Sequence, residues 1–193
     1  MIIFEDIEIE GLGSIHNRLT FKLNQGNSLN VIRGHVGAGK TTIPSAIYYA
    51  LYGKILKEKG TIETWPELQL ENYRGTFVKL NYTIGNALHS VIRCKSFKSK
   101  ITVGLNKKVK GGSGLYYLID GELVTVNKGK GNIQSLIEKN LGYSMDLFKN
   151  SIIFGQKMKR IIEETGPQKK KVFDEAFEVG FIDEAKEITQ KDK

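Results

Sequence analysis

The stretch "VIRGHVGAGKTT", residues Val31 to Thr42, decides the fold. Gly34, Gly39, Lys40 and Thr41 satisfy G-x-x-x-x-G-K-S/T, the spacing of a phosphate-binding loop. Glycines let the backbone curl so that successive N–H groups face one anion. A helix opening near Lys40 adds the positive end of its dipole. In that arrangement a lysine at position 40 reaches the β- and γ-phosphates, and the Thr41 hydroxyl ligates Mg²⁺. The expected lining of the cradle is Gly34, His35, Val36, Gly37, Ala38, Gly39, Lys40, Thr41 and Thr42.

The flanks supply the context that the motif needs. "SLNVIRG" is a short, β-branched run ending on glycine, which predicts a buried strand. After the loop, Ile43, Ala46, Ile47, Ala50 and Leu51 recur at spacings of three and four, a helix with one apolar face. Pro44 falls in its first turn, where a missing N–H costs little, and Gly53-Lys54 is a plausible stop.

Upstream, Ile2, Phe4, Ile7 and Ile9 alternate roughly across a Glu-Asp step, and "LTFKL" alternates cleanly from Leu19 to Leu23. "GLGSIHNR" between them reads as a loop. Downstream, "TFVKLNYTIGNALHSVIRCK" predicts a β-hairpin, with a further strand after Ser99. "GLYYLIDGELVTV" carries Asp-Gly between two apolar runs, a strong hairpin signal. "KKVKGGSG" and "NKGKGN" read as flexible basic loops. "NIQSLIEKNLG" is helical to Gly142, "SMDLFKN" begins a second helix capped by Ser144, and "SIIFGQ" reads as a strand entering a turn. The rest has charged helical character.

A chain of 193 residues with 40% hydrophobic and 26% charged residues fits one well-buried domain. No run of about eighteen apolar residues exists, which argues against a membrane span. "MIIFEDIEIEG" lacks a basic n-region, so no signal peptide is expected. The single cysteine, Cys94, reads as a small half-buried strand residue in a reducing cytosol. His16, His35 and His89 are not at metal-ligand spacing. The net charge is +8, and no Asp or Glu occurs from Asn72 to Ile119. A polyanion is the natural suspect. Arg93 with Lys95, and Lys98 with Lys100, are period-2 pairs expected to project from a strand face. They suit either a lysine-guarded edge or salt-dependent contact with a DNA backbone.

Two further stretches narrow the class. "GHVGAGKTTIPSAIYYALYGK" resembles the opening of the SMC-like ATPases of double-strand-break repair, the SbcC type, where this helix likewise ends in an A-L-Y/F-G turn. "GYSMDLFKNSIIFGQ" followed by "KKKVFDEAF" is similar to that family's Q-loop region. The resemblance implies an α/β, P-loop, ABC-type head lobe. Its parts would be a mixed sheet around the Walker A helix, an antiparallel β-subdomain and a C-terminal helix as coiled-coil root. Residues 1–177 would form the lobe, with the P-loop at 34–42 and the Q-loop near 156, and 178–193 the start of the coiled coil. The nucleotide would be ATP with Mg²⁺, and Gln156 would contact the metal and the γ-phosphate region. His16 and Asn17 occupy a loop where the family often has basic residues near nucleotide or DNA, and His35 lies inside the cradle.

The chain departs from the family at Val36, where Asn is usual, and at Lys157, where Gly is usual. No LSGG-like signature is present, and no apolar run closes on Asp-Glu as a Walker B strand. "YYLID" at Asp120 leads into a hairpin turn, and "VFDE" at Asp174-Glu175 sits in a helical pattern, so both read as structural. In the family those parts belong to a C-terminal half beyond a long coiled coil. The resemblance therefore implies a composite site and no certain catalytic residue in these 193 positions. It also implies ATP-driven dimerisation of heads, a nuclease subunit as partner, double-stranded DNA ends as target and a bacterial or phage-infected cytoplasm. A DNA-clamping ATPase without a nuclease remains a rival. A stand-alone P-loop kinase or GTPase is a weaker one, since neither N-K-x-D nor a lid arginine cluster is visible.

Overall fold

The computed structural model describes residues 1–24, 26, 30–56, 73–104, 107–126, 132–152 and 165–177. The chain divides into two compact units, Met1–Gly142 and Tyr143–Lys193.

The first unit is built on a six-stranded antiparallel sheet. Its strands are β1 (Ile2–Glu10), β2 (Leu19–Lys22), β3 (Thr76–Ile84), β4 (Ala87–Lys95), β7 (Gly114–Ile119) and β8 (Glu122–Leu123), in the order β2-β1-β3-β4-β7-β8. A separate hairpin pairs β5 (Ile101–Val103) with β6 (Lys107–Val109). The helices are α1 (Thr42–Tyr52) and α2 (Ile133–Leu141). This is the α/β class expected, and every pairing among the described strands is antiparallel.

Local chemistry explains the register. The β1–β3 pairing shifts between Phe4 and Asp6, which accounts for the broken alternation in the first strand. The Glu5 carboxylate accepts from Asn24 and Thr83, so the irregularity is tied down on both sides. Asp120 and Gly121 adopt φ of 51° and 82° between β7 and β8, the two positive values that a two-residue hairpin loop needs. The Asp120 carboxylate also accepts from the Leu88 N–H at 2.8 Å, fastening that turn to β4.

Alternation assigns the two faces of the sheet. Ile7, Ile9, Val78, Leu80, Tyr82, Val91 and Tyr117 are buried, share one face through the pairing register, and lie on the side of α1 and α2. On the other face Phe77, Ile92, Cys94 and Leu118 form a core with Phe97, Ile101 and Val103. The β5–β6 hairpin thus closes part of that face, and the rest is a polar ladder of Glu8–Lys79 and Asp6–Asn81 pairs. Cys94 is buried, its thiol pKa raised by desolvation, as a strand residue of that core should be.

Two sequence expectations fail here. Val31 and Ile32 form no strand and are 65% and 48% exposed. A β-branched run becomes a strand only where a neighbour accepts its hydrogen bonds, and the described strands pair among themselves. Part of "KKVKGGSG" is also ordered as β6, because its backbone completes the ladder to β5.

In the second unit, α3 (Met145–Ser151) is capped by Ser144, whose hydroxyl accepts from the Leu147 N–H at 3.2 Å, as the sequence implied. Ser151 ends α3 rather than opening a strand, and Ile152 follows it as the helix cap. The remainder of "SIIFGQ" lies outside the described residues. α4 (Gly166–Ala176) carries a Lys170–Asp174 pair, with Phe173 and Phe177 stacked one turn apart. The expected coiled-coil start at 178–193 lies outside the described residues.

Candidate nucleotide-binding site

The site is built at the N-terminus of α1. Gly37 and Gly39 take φ of 86° and 85°, which bends the loop back towards its own start. The curl is closed by the Ala38 N–H on the His35 carbonyl and the Thr42 N–H on the Gly39 carbonyl. Lys40 then folds over the loop, its Nζ donating to the carbonyls of Gly34 at 2.8 Å and His35 at 2.7 Å. The ammonium therefore sits above the strip of backbone that Gly34 to Gly39 describes. Thr41 is the N-cap residue, and its side chain makes no capping bond, so the hydroxyl is not engaged by the helix.

Several features fit an anion. No carboxylate occurs from Arg33 to Thr42, and none lies in the first turn of α1, where acids ordinarily balance the helix dipole. The first-turn amides are left unpaired by helix geometry itself. A β-carbon on Gly37 would meet nothing within 4 Å, so the loop's outer side is open. Val36 and His35 lie at that exposed rim, Val36 fully so. The donor set therefore suits a nucleotide triphosphate, with Thr41 placed to offer a hydroxyl to Mg²⁺.

The β1–β2 loop forms the wall behind the cradle. A β-carbon on Gly13 would lie 2.8 Å from the Thr42 hydroxyl oxygen, and one on Gly39 would lie 2.7 Å from that of Ser14. Gly13, Ser14 and Ile15 are thus loop residues against the cradle. Nothing in the local sequence marks them, because the contact is tertiary. His16 is half-buried, with a buried Nδ1 that has no hydrogen-bond partner among the described residues.

The basic stretch is not one face. Arg93 and Lys95 share the face of β4 that looks towards α1, whereas Lys98 and Lys100 lie in the connection to β5, both exposed. Arg93 is engaged with the last carbonyls of α1, so its guanidinium belongs to the fold. Gln156 lies outside the described residues. Asp120 holds a turn, and Asp174 pairs with Lys170, which agrees with reading both as structural. Among the described residues, no group of three His, Cys, Asp or Glu side chains could hold a metal, and no helix is long and apolar enough to cross a membrane.

A sequence-family profile described as an AAA domain matches residues 6–193, nearly the whole chain. The chain belongs to the AAA domain family. It is also 28% identical over 162 residues to the DNA double-strand break repair Rad50 ATPase of Thermoplasma acidophilum, covering 83% of this chain and 16% of that protein. This AAA domain thus spans about a sixth of the relative's length. Both findings bear out the resemblance read from "GHVGAGKTTIPSAIYYALYGK", to the N-terminal head of SMC-like repair ATPases.

Proposed function

We propose that this AAA domain is the ATP-gripping half of a DNA-repair ATPase whose hydrolytic groups are supplied by a C-terminal half. The observation that carries the reading is the Lys40 ammonium folded over the Gly34 and His35 carbonyls at the start of a helix without an acidic first turn. Lys40 would move from those carbonyls to the β- and γ-phosphates, exchanging two neutral acceptors for charged ones. Thr41 would hold Mg²⁺, with Gln156 as a second contact; the metal, when bound, neutralises the charge between phosphates. The sequence carries no LSGG-like signature and no apolar run closing on Asp-Glu, which supports a composite site.

Binding at the γ-phosphate would favour a closed pair of heads, each cradle facing the other's signature segment, and hydrolysis would release it. The similarity to a double-strand-break repair ATPase supports DNA ends as the target; a nuclease subunit as partner and the cytoplasm as location are carried over from the resemblance to the SbcC-type family. Lys98 and Lys100, exposed and without nearby acids in sequence, are the residues offered to a phosphate backbone. The test is equilibrium binding and turnover by the purified chain. It should bind Mg²⁺-ATP, lose that binding in Lys40→Ala, and hydrolyse almost none. Robust turnover that disappears in Lys40→Ala would overturn the composite-site reading.

A further inference from the structure

The far end of α1 is held by a polar junction that the nucleotide reading does not use. Arg93, on β4, donates from Nε to the Ala50 carbonyl at 3.1 Å and from Nη2 to the Leu51 carbonyl at 3.4 Å. The same Nη2 donates to Gln134 Oε1 on α2 at 2.6 Å. Gln134 Nε2 donates in turn to the Leu51 carbonyl at 2.8 Å and to Glu138 Oε1 at 2.6 Å. Gly53 closes the helix at φ 71°, its N–H on the Tyr49 carbonyl, and a β-carbon there would lie 2.8 Å from Arg93 Nη1. The guanidinium is therefore packed against the helix stop, its central carbon 5.8 Å from the centroid of the Tyr49 ring.

The physics of this arrangement is directional. A cation at the carbonyl end of a helix meets the negative end of its dipole. Burial pulls the Arg93 pKa below its ordinary value, and a guanidinium nevertheless remains charged. Its planar fork bonds two successive carbonyls and a side-chain amide together, which no other residue type does. Three elements, α1, β4 and α2, are thereby fixed at one point. α1 is rigid between that point and the cradle, about 16 Å away for eleven residues. Ala46, Ala50 and Leu51 have no exposed surface, so the helix is also held laterally.

We propose that Arg93, with Gln134, is a positioning residue for nucleotide binding: it sets the axial position of α1, and through it the height of Lys40 and Thr41 against the phosphates. The inference rests on the cradle reading above. It removes Arg93 from the DNA-facing set and assigns it to the opposite end of the nucleotide helix.

The test is titration of N-methylanthraniloyl-ATP with Mg²⁺ into the full chain, at a temperature where every variant is folded. Arg93→Lys keeps the charge and loses the fork; Gln134→Leu keeps the arginine and leaves the Leu51 carbonyl short of one donor. Arg93→Lys should weaken binding at least fivefold and Gln134→Leu about threefold. The double variant should fall within twofold of Arg93→Lys, because both act through one junction. Ile92→Val, beside Arg93 but facing the other core, serves as the stability control and should leave affinity unchanged. Affinity within twofold of the parent in Arg93→Lys and Gln134→Leu overturns the proposal, as does an equal loss in Ile92→Val. If Arg93→Lys does not fold, Gln134→Leu alone decides. A parent chain that binds no better than Lys40→Ala defeats the cradle reading itself, and this inference with it.

Discussion

Gly39 and Ser14 are in direct contact across the cradle: a β-carbon on the glycine would lie 2.7 Å from the serine hydroxyl oxygen. The phosphate loop is therefore shaped from behind by the β1–β2 loop as well as by its own glycines. Gly39→Ala should combine left-handed strain with that overlap and destabilise the protein by about 3 kcal/mol. Gly37→Ala has the same sign of φ but open space, and should cost only about 1 kcal/mol. Adding Ser14→Gly to Gly39→Ala should restore part of the loss. Urea unfolding of the four proteins checks the order; equal losses at positions 37 and 39 would refute it.

Glu10 is a buried acid, 3% exposed, held by two arginines from distant parts of the chain. Arg18 Nε reaches it at 2.9 Å and Arg74 at 2.8 Å, with the Arg18 guanidinium 4.1 Å over the Phe77 ring. Glu10→Gln keeps the shape and removes the charge, taking the carboxylate from Arg74 and leaving Arg18 with Glu8 at 3.7 Å. The expected cost is about 2 kcal/mol, moderated because both arginines are partly exposed. A chemical-denaturation midpoint unchanged by Glu10→Gln would show that the ion pairs are energetically idle.

His89 is buried between the Tyr82 and Tyr117 rings, its Nδ1 2.6 Å from the Tyr117 hydroxyl, which also accepts from Asn140 at 2.9 Å. Burial lowers its pKa, and the charge of Asp120 offsets this only in part. The unfolded chain then takes up this proton before the folded one. Stability from this group is therefore full above the ordinary histidine pKa, about 6.5, and is lost as pH falls below it. The loss levels off once pH passes beneath the folded value. His89→Asn should reduce the difference in thermal midpoint between pH 7 and pH 5. An undiminished difference would assign that slope to other groups.

Reversing Lys98 and Lys100 to glutamate tests the DNA arm separately. If both contact phosphates, the log–log salt slope of duplex binding should flatten by about 2. Nucleotide affinity should be unchanged, since neither lysine belongs to the cradle or to the Arg93 junction. An unaltered slope would place the DNA contacts elsewhere.

Much of this molecule is legible in its sequence where the determinants are local. The Gly34-to-Thr41 spacing, the Gly53 and Gly142 helix stops, the Ser144 cap and the Asp120-Gly121 turn each encode their geometry within a few residues. What escaped depended on partners far along the chain. Val31 and Ile32 have strand propensity, but no described strand pairs with them. Arg93 follows the same period as Lys95, and only the proximity of α1 turns it from a surface charge into a helix anchor. Ser14 carries no signal at all until the fold presses it onto Gly39.

The Glu10 anchor has a consequence for how the chain tolerates change. After α1 stops at Gly53, the path re-enters the sheet at Arg74, which Glu10 grips, and at Gly75, packed against the Ser96 carbonyl. The end of α1 and the start of β3 are thus held by separate anchors, Arg93 at the Ala50 and Leu51 carbonyls and Glu10 at Arg74. A lesion at one anchor should leave the other in place, so that loosening the Glu10 clamp frays the start of β3 without shifting the cradle.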